Sequence, residues 1–103
     1  LTQEDFHSVF RNSAIQRTKW RGLMRNTAVA MGNSRRKEFV PELRQLLNCP
    51  DPMVRRHAAW GLSEIGGEEA RQELGARLAV ENDSRTRDTL RESVRAGADG
   101  LEN

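Results

Sequence analysis

The chain is poor in cysteine, in aromatic residues and in long apolar runs. Its 103 residues include one cysteine, no tyrosine and 5% aromatic side chains. A single cysteine excludes a disulfide scaffold, an iron–sulfur cluster and a cysteine-ligated zinc site within this chain. No apolar run approaches the roughly 18 residues that a membrane-spanning helix needs, and no secretory signal follows Leu1. Because that residue is not Met, we expect a piece of a longer protein, and we expect that protein to be cytoplasmic.

Apolar residues recur at intervals of three to four, which predicts helices and no strand. We predict six helices. The first is short and contains Phe6, Val9 and Phe10; the second is long and runs from Ser13 to near Met31, ending at Gly32; the third has Pro41 in its first turns. The fourth lies between Asp51-Pro52 and Gly66-Gly67, the fifth runs from about Glu68 to Val80, and the sixth follows Asn82-Asp83-Ser84 and ends near Ala96. We expect residues 97–103 to fray. The sequence therefore predicts an all-α protein with residues 1–96 as a single domain.

The order of these helices repeats with an offset of 31 or 32 residues. At the offset of 31, Leu43 and Leu47 superpose on Leu74 and Leu78. A period in the low thirties with two helices in each unit is typical of an α-solenoid. Residues 54–66 are similar to the second helix of a HEAT-like repeat, and small residues such as Gly61 would admit a neighbouring helix. The fold prediction is a short α-solenoid of about three HEAT-like helix pairs.

Positive charge is concentrated in one segment, although the net charge is only +2. Residues 11–37 contain eight basic residues and no acidic residue, whereas residues 66–103 contain six basic and nine acidic residues. Of the 17 basic residues 15 are arginine, whose planar guanidinium binds phosphate oxygens in pairs. This pattern favours contact with nucleic-acid phosphates. Docking to another part of the parent protein and a plain solvated face remain open alternatives.

Helical geometry places the arginines of the long helix on one stripe. Arg17, Arg21 and Arg25 follow one another at intervals of four residues, which aligns them along the helix. We expect the opposite side to be the buried face; its members are Ile15, Leu23, Asn26 and Ala30. At the repeat offset Arg25 superposes on Arg56, which would extend the basic surface to the next helix pair.

The residue types that carry out catalysis are scattered. His7 and His57 lie on different predicted helices, and Cys49 lies in a loop, with no third group spaced to orient a Cys–His pair. We therefore expect no catalytic or metal-binding role for these residues, and we expect His57 to pack locally. For Trp20 and Trp60, packing between helices is the favoured interpretation over stacking on a base.

A specific motif spans the start of the long helix. The motif has the spacing F-x-x-S-x-I-x-R-x-K-x-x-G-L-x-R-N…L-G-N. The residues that match it are Phe10, Ser13, Ile15, Arg17, Lys19, Gly22, Leu23, Arg25 and Asn26, followed by Gly32 and Asn33. With the later run from Asp51-Pro52 to Trp60, this resembles the C-terminal part of the epoxyqueuosine reductase family. The resemblance covers roughly residues 2–66. Ala14 and Met31 stand where that family commonly has Pro and Leu.

The resemblance implies a role in tRNA modification. Enzymes of this family reduce epoxyqueuosine to queuosine at the tRNA wobble position, using cobalamin and two four-iron–four-sulfur clusters. It implies that the cobalamin and cluster domains lie upstream, that this piece alone is not an enzyme, and that its helices help to bind the tRNA anticodon stem-loop. The candidate RNA-binding residues that match the motif are Arg17, Lys19, Arg25 and Asn26. The candidates added on charge alone are Arg21, Arg35, Arg36, Lys37 and Arg56.

Overall fold

The computed structural model describes residues 14–102, and the side chains of residues 16–96. This range contains five α-helices and a short 3₁₀ helix, Lys37–Phe39, but no strand, which confirms the all-α prediction. The α-helices are α1 (Ala14–Ser34), α2 (Val40–Leu47), α3 (Pro52–Ile65), α4 (Glu68–Val80) and α5 (Ser84–Glu102). The short helix predicted around Phe6 to Phe10 lies outside the described residues.

The helices pack in two layers, as in a solenoid of helix pairs. Helices α2 and α3 form one antiparallel pair, and α4 and α5 form the next. Helices α1, α3 and α5 lie side by side in one layer, and α2 contacts α4 in the other. The helix α3 therefore contacts each of the other four helices. This arrangement confirms the predicted solenoid; the described residues hold two complete pairs and α1, which packs against α3.

Local sequence signals set the ends of α3 as predicted. The Oδ1 atom of Asp51 accepts hydrogen bonds from the backbone N–H groups of Met53, at 2.9 Å, and Val54, at 3.2 Å. Pro52 occupies the first helical position, where its missing N–H costs nothing. At the other end Gly66 adopts a φ of 70°, a left-handed conformation that glycine accepts without strain.

Two predicted helix ends differ from the structure. Helix α1 does not end at Gly32 but continues to Ser34, and the left-handed residue is Arg35, with a φ of 56°. Gly32 serves another purpose, because a Cβ atom on it would lie 2.7 Å from the Cα of Gly61. The two glycines let the backbones of α1 and α3 approach closely. Helix α5 extends to Glu102, beyond the predicted end near Ala96; the fraying of residues 97–103 stays a prediction.

The predicted buried face of α1 is wrong at Leu23, Asn26 and Ala30, whereas the side chain of Ile15 lies outside the described residues. Leu23 is 61% exposed, and Asn26 and Ala30 are also exposed. The residues of α1 that enter the core are Trp20, Met24, Ala28 and Met31. Helix α1 approaches α3 most closely at small residues on this side, and these residues therefore determine which face of α1 is buried. The stripe of arginines therefore borders the buried face instead of lying opposite to it.

The core continues through the repeats on leucine and valine. The largest fully buried side chains are Leu43, Leu47, Leu62, Leu74, Leu90, Val40, Val54 and Thr86. The repeat offset holds at its central positions, because Leu43 and its equivalent Leu74 are both buried. It fails for Leu23, whose equivalent Val54 has no exposed surface. The repeat thus predicts most of the core, but not the rotation of α1.

Candidate nucleic-acid interface

Four of the predicted RNA-binding residues lie exposed on α1. They are Arg17, Lys19, Arg25 and Asn26, the residues that match the motif. Within residues 16–96, the first three form no ion pair. We call Arg17, Lys19 and Arg25 the α1 cations. Their charges have no ion-pair partner in this range, so they are accessible to an external anion.

Arg21 has an internal partner. Its guanidinium forms an ion pair with the carboxylate of Asp51, the residue that caps α3. The Arg21 side chain is 41% exposed and that of Asp51 is 5% exposed. This pair fastens α1 to the start of α3, so Arg21 contributes to helix packing and offers less charge to a ligand than the α1 cations do.

The cluster that follows α1 is partly neutralised by nearby acids. Arg36 Nε lies 2.9 Å from Glu38 Oε1, and Arg35 Nη2 lies 3.8 Å from Glu64 Oε1. All four side chains retain exposure of 33% or more, so each pair adds only about 0–1 kcal/mol to stability. Lys37 is exposed beside Gly67. These residues form a second basic region at the turn between α1 and α2.

Arg56 contacts residues at the start of α5. Its Nη1 atom lies 3.3 Å from Thr86 Oγ1 and 3.6 Å from Asp83 Oδ2. The Thr86 hydroxyl and backbone N–H donate to the Asp83 carboxylate, and these bonds lower the pKa of Asp83 below its ordinary value. The carboxylate therefore stays ionised and holds Arg56, whose side chain is 20% exposed, at the edge of a groove.

A groove of about 440 Å³ opens between α3 and α5. Its lining residues are Val29, Arg56, His57, Trp60, Arg85 and Thr89. His57 Nδ1 donates to the carbonyl of Met53 at 2.8 Å, which agrees with its predicted local packing and leaves Nε2 as the other hydrogen-bonding atom of the ring. We call this space the α3–α5 groove.

The sequence interpretation missed this groove. The charge pattern places Arg56 on a basic surface and predicts no role for Arg85 or Thr89. The signal was available in part, because Arg56 and Trp60, like Arg85 and Thr89, are four residues apart and so share a helix face. That the two faces meet is a property of the tertiary packing.

The two tryptophans differ in their surroundings. Trp20 is 8% exposed within the core, as the packing interpretation predicts, whereas Trp60 is 37% exposed. A Cβ atom on Gly32 would lie 2.9 Å from Cζ3 of Trp60, so one edge of this indole rests on α1. Trp60 thus packs between helices and also lines the α3–α5 groove.

Cys49 is a buried thiol. Burial is the main cause that raises the pKa of Cys49 to about 11, so the nucleophilic thiolate is scarce at neutral pH. Among the described residues no group of three His, Cys, Asp or Glu side chains lies close enough to hold a metal ion. In the same part of the chain, no helix combines the length and apolarity needed to cross a membrane.

A comparison with known protein families identifies the type of helical repeat in this chain. Residues 21–95 match the profile of the family described as HEAT repeats. The chain belongs to the HEAT-repeat family. This match confirms the interpretation of residues 54–66 as a HEAT-like helix and covers both helix pairs of the structure.

One curated protein is similar to this HEAT-repeat chain over most of its length. Epoxyqueuosine reductase from Listeria monocytogenes serovar 1/2a is 35% identical over 68 residues, which are 62% of this chain and 18% of the relative. The resemblance stated from the motif is thereby confirmed. The aligned part spans less than a fifth of the relative's length. No solved structure is significantly similar to this chain.

Proposed function

We propose that this HEAT-repeat chain is the tRNA-binding part of an epoxyqueuosine reductase. In this proposal it holds the anticodon stem-loop so that the wobble nucleotide reaches the reductive centre in upstream cobalamin and iron–sulfur domains. The similarity to the Listeria enzyme supports the identity of the parent. The α1 cations support a polyanionic partner, and they carry the proposal.

The spacing of the α1 cations suits contact with a nucleic-acid backbone. Arg17 and Arg25 are eight residues apart, which is about 12 Å along a helix that rises about 1.5 Å per residue. Phosphates in a stacked strand follow one another at about 3.4 Å of rise, so this distance spans several nucleotides. Each cation that neutralises a phosphate releases counterions, which makes binding sensitive to salt.

The reductive chemistry belongs elsewhere in the proposed enzyme. A four-iron cluster is held by four thiolates, and this chain has one cysteine, whose thiol is buried. The residues present therefore do not fit a cluster. The contribution of this chain is to bind and orient the RNA, and no step of the reduction is assigned to its side chains.

The test is the double variant Arg17→Ala/Arg25→Ala, titrated with tRNA in a filter-binding assay at several salt concentrations. We expect weaker binding and unchanged helicity. If each arginine neutralises one phosphate, the slope of log affinity against log salt should become shallower by roughly 1.4 to 1.8. Unaltered tRNA affinity and an unaltered slope would contradict the role of α1.

A matched control separates a specific contact from a change of net charge. Arg71 and Arg91 are also partly exposed, but each pairs with an acid on its own helix, Glu68 and Asp88 respectively. The variant Arg71→Ala/Arg91→Ala removes the same formal charge and should retain most of the tRNA affinity. An equal loss in both double variants would indicate a general charge effect.

Exposed Leu23 favours one alternative, a scaffold that docks another protein domain without contacting RNA. This side chain is 61% exposed on the helix that bears the α1 cations, and an apolar residue there suits a protein interface better than an RNA backbone. Absence of tRNA binding at low salt, together with salt-sensitive binding to an upstream domain, would favour docking.

A further inference from the structure

The α3–α5 groove combines aromatic, basic and hydroxyl-bearing side chains. An indole, two guanidiniums, an imidazole and a hydroxyl line one space of about 440 Å³. No acidic residue of the described chain is among its lining residues. This volume lies within the roughly 300–1,000 Å³ that pockets for small ligands occupy. The lining therefore offers an aromatic surface beside positive charge, with no carboxylate facing the space.

The indole of Trp60 is held in place by its contact with α1. The Cζ3 and Cε3 atoms of the ring would lie 2.9 and 3.3 Å from a Cβ atom on Gly32. Glycine at this position lets the ring rest directly on α1, while Trp60 as a whole keeps 37% of its surface exposed. A ring that is already fixed loses little conformational entropy when a flat ligand packs against it.

The two arginines of the groove differ in how they are held. Arg56 is fixed by Thr86 and Asp83 at 3.3 and 3.6 Å, whereas Arg85 forms no ion pair within residues 16–96. Arg85 belongs to the first turn of α5, where the N-terminal end of the helix dipole also favours an anion. An anion in the groove would meet one positioned and one adaptable guanidinium.

From this arrangement we infer that the α3–α5 groove binds one unpaired nucleotide of an RNA strand, with its base packed against Trp60 and its phosphate held by Arg56 and Arg85. The inference rests on the proposed function, since it requires an RNA partner. A phosphopeptide would need the arginines but not the indole. A base paired within a duplex would not expose its face to the ring, so the nucleotide comes from a loop or another single-stranded segment.

The remaining polar groups suit the edge of such a nucleotide. His57 uses Nδ1 for the Met53 carbonyl, so Nε2 is the ring atom left for a base edge or a 2′-hydroxyl. The Thr89 hydroxyl donates to the Arg85 carbonyl at 3.3 Å and retains its capacity to accept a hydrogen bond. A 2′-hydroxyl, which both donates and accepts, would distinguish RNA from DNA at this site.

The test compares two RNAs on the full chain: a hairpin with an anticodon-type loop, and a blunt duplex of the same stem. Trp60→Leu should weaken hairpin binding by roughly 5- to 150-fold, the range for losing one stacked base, and leave duplex binding unchanged. Trp60→Phe, which keeps an aromatic ring, should retain most of the hairpin affinity. Equal effects on the two RNAs, or none on either, would overturn the inference.

Fluorescence provides a second readout that does not depend on the fold of a Trp60 variant. The chain has two tryptophans and no tyrosine, so Trp20→Phe leaves Trp60 as the only strong emitter. Addition of the hairpin should quench this emission, and the duplex should leave it unchanged. Absence of quenching on hairpin binding would refute packing of a base against the indole.

Arg85→Gln and the α1 double variant distinguish failure of this inference from failure of the proposed function. Arg85→Gln changes an exposed side chain and should weaken hairpin binding more than duplex binding. Arg17→Ala/Arg25→Ala should weaken binding of both RNAs.

If neither RNA binds wild-type protein, both proposals fail. If both bind but the groove variants behave as wild type, or if free adenosine monophosphate binds the groove as tightly as the hairpin, only the RNA-groove inference fails.

Discussion

The side chains of Arg55 and Glu81 form a buried, bidentate ion pair that joins α3 to the residue after α4. Arg55 Nε and Nη2 donate to the two carboxylate oxygens at 2.9 and 2.8 Å. Arg55 Nη1 donates to the Cys49 carbonyl at 2.8 Å, and Arg77 Nε donates to Glu81 Oε1 at 3.0 Å. The Asp83 N–H donates to Glu81 Oε2 at 3.1 Å. This network connects the turn before α3 with the turn before α5.

Removal of one partner from this pair should strongly destabilise the fold. Glu81→Ala leaves the Arg55 guanidinium buried without its counter-charge, and such changes cost about 3–5 kcal/mol. The free energy of unfolding in urea, followed by circular dichroism, measures the loss.

Glu73→Ala is the control for this change. Glu73 also pairs with an arginine across helices, Arg44 at 3.5 Å, but the Arg44 side chain is 53% exposed. Loss of such a surface pair should cost no more than about 1 kcal/mol. Equal losses in the two variants would show that the buried pair has no special role.

Acid should weaken the fold through Glu81. Burial raises the pKa of Glu81, but hydrogen bonds from Arg55, the Asp83 amide and Arg77 outweigh it, so the pKa lies below its ordinary value of 4.5. A carboxyl with a lowered folded pKa stabilises the protein above its unfolded pKa, and this contribution is lost as pH falls through the folded pKa. Stability should therefore decrease as pH falls below about 4.5.

Glu81→Gln identifies the group responsible for that decrease. The amide does not titrate, so urea unfolding of this variant across the acidic range should depend less on pH than that of the wild type. The pKa of Asp83 is also lowered, by Thr86, so some dependence should remain. A curve parallel to that of the wild type would exclude Glu81 as the main titrating group.

Gly32→Ala should separate α1 from α3. The new methyl group would lie 2.7 Å from the Cα of Gly61. Because that Cα is a backbone atom and cannot rotate away, the helices must move apart. Overpacking of this kind costs roughly 1–3 kcal/mol, which thermal unfolding would detect.

We expect Gly75→Ala to have the opposite effect on the stability of the same chain. Gly75 also lies inside a helix, but a Cβ atom there meets nothing within 4 Å. Alanine has the higher helix propensity, so this variant should gain about 0.5–1 kcal/mol. A similar gain for Gly32→Ala would contradict the close approach of the helices.

Cys49 should react slowly while the protein is folded. The residue is 4% exposed, and a pKa raised to about 11 keeps the thiolate a small fraction at pH 8. Alkylation by iodoacetamide should be much slower in buffer than in denaturing urea. Equal rates in the two conditions would show that the loop opens readily.

The sequence predicts the fold well wherever the signal is local. Asp51-Pro52 and Gly66-Gly67 mark the two ends of α3 because a cap, a proline and left-handed glycines act on adjacent residues. The same reasoning predicts α4 at Glu68–Val80, as observed. Repeat spacing then predicts the pairing of the helices.

Features that depend on the rotation of one helix against another are not predictable in this way. The charge of α1 suggested that its arginines lie opposite the core, but small residues such as Gly32 decide the contact face. Arg55 and Glu81 are 26 residues apart and carry no local signal of their pairing. The α3–α5 groove likewise exists only when the faces of Arg56 and Arg85 are brought together.

The buried network also makes the two edges of the solenoid mechanically unequal. Arg55, Glu81 and Arg77 bind the turns before α3 and α5 to one another. At the opposite edge, Arg35 and Glu64 connect the turn after α1 to the end of α3; their charged atoms lie 3.8 Å apart, and the Arg35 side chain is 72% exposed. A stack of helix pairs changes its curvature by opening one edge more than the other. Bending of this solenoid should therefore pivot about the clamped edge and open the other.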